Sequence, residues 1–86
     1  MELLEQIQKH KIVPVVVLSK LEDAEPTLKA LCDGGLPVAE ITFRTECAAD
    51  AIRLGCEKFP EMLIGAGTVI RADQAIHAID CGAKFI

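Results

Sequence analysis

Val38-Ala39-Glu40-Ile41-Thr42-Phe43-Arg44-Thr45-Glu46 is an apolar strand with an acid in its middle and an arginine at its exit. Alternate residues of a pleated strand face the same way, so Glu40, Thr42 and Arg44 share one face while Ala39, Ile41 and Phe43 share the other. A carboxylate inside such a strand is costly unless it is paired, hydrogen-bonded or used in chemistry. Two readings follow from these nine residues. Glu40 and Arg44 form an ion pair that shapes the core, or they form an acid/base group beside an anion-binding fork.

Helix signals flank the strand on both sides. Upstream, Gly34-Gly35 stops a helix that runs toward Cys32, because glycine takes the left-handed conformation that ends helical turns. That helix starts either at Ser19, which with Glu22 fits a capping box, or near Asp23, which puts Pro26 in the first turn. Downstream, Thr45 is placed to cap a helix with apolar positions Ala48, Ala51, Ile52 and Cys56, ending before Pro60.

The alternation continues along the chain. Glu2 to His10 reads as a short amphipathic helix, and Ile12 to Leu18 as a β-branched strand with Pro14 near its start. Met62 to Ala66 is a third strand running into Gly67-Thr68, Ala72 to Asp80 is a third helix of the repeat, and Lys84-Phe85-Ile86 begins a fourth strand. Strand starts recur about every two dozen residues, the length of one β-loop-α-loop unit. The helix ends Leu31-Cys32-Asp33-Gly34-Gly35 and Ile79-Asp80-Cys81-Gly82-Ala83 also resemble each other. Repeated βα units suggest either a (β/α)8 barrel or a doubly wound sheet. Gly65-Ala66-Gly67 is a weak match to a nucleotide fingerprint, since the third glycine is missing.

Composition narrows the class. The chain has 86 residues, 3% aromatics, no Trp or Tyr, and a net charge of -4. A core of Val, Ile, Leu and Ala suits parallel strands covered by helices. The acidic balance and the lack of a basic cluster argue against nucleic-acid and anionic-membrane partners. The N-terminal residues lack the order of a signal peptide, and the apolar run from Ile12 to Leu18 is too short to span a bilayer. Cys32, Cys47, Cys56 and Cys81 have no metal-site or redox spacing, which reads as reduced thiols in a cytoplasmic protein. Cys47, near a helix start, reads as a packing residue. His10 and His77 read as surface or helix-end groups, and Glu22, Asp23 and Glu25 as company for the positive end of a helix.

Glu40-Ile41-Thr42-Phe43-Arg44-Thr45-Glu46-Cys47-Ala48-Ala49-Asp50-Ala51-Ile52-Arg53, together with Gly65-Ala66-Gly67-Thr68-Val69, closely resembles the 2-keto-3-deoxy-6-phosphogluconate and 4-hydroxy-2-oxoglutarate aldolase family. The resemblance covers nearly the whole chain. Arg44-Thr45 favours the gluconate branch over the related 6-phosphogalactonate aldolases. It implies an α/β fold, the N-terminal portion (about three and a half βα units) of a (β/α)8 TIM barrel, with residues 1–86 forming the first part of a single barrel.

It also implies a class I lyase that works through a Schiff base, as a homotrimer, with no metal and no cofactor. The substrate is a 2-keto acid carrying a pyruvate moiety, cleaved to pyruvate and glyceraldehyde 3-phosphate or glyoxylate. Matched residue by residue, Glu40 falls on the family's general acid/base, and Arg44 and Thr68 on the groups that hold the keto acid. The family's Schiff-base lysine lies on a later strand. Lys84 begins its strand, which puts it at the opposite rim, and Lys20 reads as a solvated group. On this reading the chain alone is inactive. The other reading makes it a non-catalytic remnant or a half-barrel interaction module pairing through the open edges of strands one and four. An uncovered inner face would leave it poorly stable in isolation.

Overall fold

A computed structural model describes residues 2–86 of the chain. Three parallel strands, β1 (Val15–Val16), β2 (Val38–Thr42) and β3 (Leu63–Gly67), form one sheet in the order β1-β2-β3. The helices are α1 (Leu3–His10), α2 (Ala24–Asp33), α3 (Ala48–Lys58) and α4 (Ala72–Asp80), with a single 3-10 turn at Leu21–Asp23 before α2. That sequential order is common to a barrel and to one half of a dinucleotide-binding sheet.

The sheet has two unlike faces, set by the alternation along β2 and β3. Ala39, Ile41, Ile64 and Ala66 point toward the helices and are fully buried, in one cluster with Leu28 of α2, Ala51 and Ile52 of α3, and Ala78 of α4. Close-packed apolar burial of this kind is the main favourable term in the fold. On the other face, register places Val15, Glu40 and Gly65 side by side, and Thr42 beside Gly67. Val15 and Val17 are exposed there, while Val38, Thr42 and Leu63 are buried. The expectation of a bare inner face therefore holds at the β1 edge only.

Two helix ends are built alike, as their sequences suggest. After α2, Leu36 N–H bonds the Leu31 carbonyl and Gly35 N–H bonds Cys32, with Gly35 at φ 84°. After α4, Ala83 N–H bonds Ala78 and Gly82 N–H bonds Ile79, with Gly82 at φ 111°. Both are Schellman closures, in which a left-handed residue returns two donors to the last carbonyls.

Local capping differs from the sequence reading. The helix α2 takes the later of its two starts, so Pro26 lies in the first turn, and no side chain caps it. For α3 the cap position is Cys47, not Thr45. Thr45 supplies its backbone carbonyl to Ala48 N–H instead, and its hydroxyl lies against the Cys47 thiol. Cys47 in turn donates to the Leu18 carbonyl at 3.0 Å, tying the end of β1 to the start of α3. Strand one is short because only Val15 and Val16 pair with β2. The fourth strand is reduced to two backbone bonds, Lys84 N–H to Ile64 and Ala66 N–H to Phe85. The open edge on that side is therefore that of the segment from Lys84, partly laid down along β3.

Candidate active site

Glu40 stands at the centre of β2, half-buried, on the face away from the helices. Its register partner is Gly65, but its carboxyl reaches along the sheet to Gly67. A Cβ on Gly67 would stand 2.6 Å from the Glu40 carboxyl carbon and 2.8 Å from its Cγ. The side chain thus leans from the middle of the sheet toward the C-terminal ends of the strands. Among the described residues it accepts no hydrogen bond and makes no ion pair.

Arg44 and Thr68 follow β2 and β3 at those same ends. Phe43 N–H bonds the Gly67 carbonyl at 2.9 Å, and the residues that come next are Arg44 after the one and Thr68 after the other. Both are exposed. Arg44 lies in a turn beyond the pleat, so strand alternation does not extend to it, and the ion pair with Glu40 that alternation allows is absent among the described residues. An unpaired guanidinium at a strand end is a planar donor fork open to a carboxylate.

Thr68 is held at φ 53°, in the left-handed region. For a β-branched residue that conformation is strained, at a cost of order 1–3 kcal/mol, and such outliers gather at ligand sites. One further polar group belongs to this face. The Thr42 Oγ1 is buried and has no hydrogen-bond partner, a state rare in folded proteins.

The lysines fall where the sequence suggests. Lys84 Nζ donates to the carbonyls of Pro60 (3.4 Å) and Met62 (3.5 Å), at the N-terminal end of β3. Lys20 is exposed, just before the 3-10 turn. What sequence reading did not assign is a packing role for the pair Gly65 and Gly67. Two glycines at a spacing of two lie on one face of a strand, and this is the signal that a side chain lies flat across them. Glu40 covers Gly67, and the Phe85 ring covers Gly65.

A hollow lies at the opposite end of the sheet, lined by Cys32, Pro37, Lys58, Phe59, Pro60, Glu61 and Met62. Its lysine is engaged with Glu25 at 3.0 Å, and it shares no residue with the Glu40 rim. No helix among the described residues is long and apolar enough to cross a membrane.

The C-terminal strand ends, toward which Glu40 leans and after which Arg44 and Thr68 follow, are the rim at which (β/α)8 barrels carry their active sites. The chain belongs to the KDPG and KHG aldolase family, which it matches over residues 3–86. It is 50% identical over 74 residues to the KHG/KDPG aldolase of Escherichia coli K12, covering 86% of this chain and 35% of that protein. It is 47% identical over 85 residues to the 2-dehydro-3-deoxy-phosphogluconate aldolase of Haemophilus influenzae, covering 99% of this chain and 40% of the relative.

Among solved structures, the KDPG aldolase of Legionella pneumophila, with pyruvate captured as a covalent carbinolamine intermediate, superposes with a TM-score of 0.82 at 46% identity, over 85% of this chain and 35% of that one. The chain thus spans 35 to 40% of the length of these relatives, and its fold is an N-terminal portion of their barrel.

Proposed function

We propose that this chain supplies the keto-acid end of a class I aldolase site, acting on 2-keto-3-deoxy-6-phosphogluconate, 4-hydroxy-2-oxoglutarate, or both. The observation that carries the reading is the Glu40 carboxyl turned over Gly67 toward the strand ends that lead into Arg44 and Thr68. The pyruvate captured covalently in the Legionella relative supports the same chemistry.

In this mechanism an amine condenses with the 2-keto group and releases water, which leaves an iminium that accepts electrons. Arg44 holds the substrate carboxylate through two parallel hydrogen bonds, and the Thr68 hydroxyl fixes the keto acid against it. Glu40 takes the proton from the hydroxyl next to the bond that breaks. As that hydroxyl becomes the aldehyde carbonyl, the electron pair of the carbon–carbon bond passes into the iminium and forms an enamine. Glu40 then returns a proton to the enamine carbon, and water releases pyruvate from the amine. The resemblance to the family assigns the amine to a strand after these, and a homotrimer as the assembly. Lys84 is unsuited to the role, because it is tied to the opposite end of β3.

The test is a graft. This chain replaces the matching segment of the Escherichia coli KHG/KDPG aldolase, and pyruvate release from both substrates is measured. The reading expects turnover that Glu40→Gln and Arg44→Ala each reduce strongly. A folded graft with no turnover would contradict it.

A further inference from the structure

Gly67 is a glycine for a reason that the backbone does not supply. It lies at the end of β3, paired with Thr42, and among the described glycines only Gly35 and Gly82 have the positive φ that excludes other residues. Alanine could follow the same path. Glycine in a strand weakens it, and its presence there marks a place where another group approaches closely. Here that group is the Glu40 carboxyl, which occupies the space a Cβ would take.

Nothing else holds the carboxyl in place. Glu40 has no hydrogen bond or ion pair among the described residues, and the neighbouring Thr42 hydroxyl does not bond it. Its register partner Gly65 cannot hold it, since the Phe85 ring covers that residue. The direction of the Glu40 side chain is therefore set by shape. The covered glycine lies behind it, and the vacant one lies toward the rim.

The geometry points to Gly67 as a positioning residue, the bare seat that tilts the Glu40 carboxyl toward Arg44 and Thr68. This rests on the reading of Glu40 as the proton carrier. A methyl group at position 67 would lift the carboxyl off the sheet and displace it by about the width of an atom. A displacement of about 1 Å can cost about a hundredfold in rate.

The experiment is a double-mutant cycle in the graft described above, with Gly67→Ala, Glu40→Ala, and both together. Alanine removes the Cγ and the carboxyl, the atoms that crowd position 67. Gly67→Ala alone is expected to lower kcat by about tenfold or more with KM changed by less than about threefold, because a misplaced base affects the transition state and not binding. In the Glu40→Ala background the same substitution is expected to cost less than about twofold of the residual kcat, the non-additivity of residues in contact.

An equal loss of kcat in both backgrounds, or no loss from Gly67→Ala, would overturn the inference while leaving the role of Glu40 intact. If the unsubstituted graft is inactive, the functional reading fails, and the seat is still decided by the denaturation midpoints of the same four proteins. Coupled midpoints support contact between residues 40 and 67, and additive ones overturn it.

Discussion

Lys84 and Met62 meet at the N-terminal end of β3, where the lysine ammonium donates to the Met62 and Pro60 carbonyls. Lys84 therefore closes one end of the strand, opposite the end where Thr68 follows Gly67. This separation keeps the Lys84 ammonium away from the end toward which the Glu40 carboxyl leans. Incubating the 86-residue chain with pyruvate and borohydride should give no adduct at Lys84, by mass spectrometry of the digested protein. Lys84→Met should lower the stability by about 1 kcal/mol or less, since the bonds are long and the lysine is exposed.

Thr68 is expected to show stability opposed to function. Its φ of 53° is one that glycine adopts without strain. Thr68→Gly should raise the unfolding free energy by about 1 kcal/mol in urea denaturation, and should raise KM in the graft because the hydroxyl is lost. A destabilised Thr68→Gly would show that the left-handed conformation is not strained.

Two thiols add to the loss of stability at alkaline pH. The Cys56 thiol is pushed up from its ordinary value of 9.0, chiefly by burial, with Lys84 opposing and Cys81 and Glu57 adding to the rise. Its hydrogen bond to the Gly82 carbonyl at 3.3 Å also needs the protonated form. The folded state therefore holds this proton more tightly than the unfolded chain does. The resulting stability is present below the unfolded pKa and is lost as pH rises from about 9 through the higher folded value. Cys32, raised for similar reasons, contributes in the same direction. Denaturation midpoints measured from pH 8 upward should fall, and Cys56→Ala should flatten that fall.

Much of this was legible because each βα unit announces itself locally. Gly34-Gly35 and Gly82 mark helix ends by the conformation they permit, and the structure closes both with the same pair of hydrogen bonds. The acid at Glu40 stood out because charge inside an apolar strand is costly. Features that depend on tertiary contact were not legible. Thr45 looks like a cap but is displaced by Cys47, whose thiol has a partner 29 residues earlier in Leu18. Arg44 appears to continue the alternation, but the chain turns at Phe43, and only the bond from Phe43 to Gly67 reveals where it goes. Gly65 and Gly67 belong to a motif the sequence shows, but which side chains lie over them depends on neighbours across the sheet.

The role of Glu40 can be measured apart from cleavage. Exchange of the pyruvate methyl protons with deuterated water, followed by proton NMR in the graft, reports proton transfer at the enamine carbon alone. Glu40→Gln should slow this exchange by about a hundredfold or more, the usual contribution of a positioned acid/base group. Exchange within about threefold of the unsubstituted rate would contradict it, because Glu40 would then be carrying no proton.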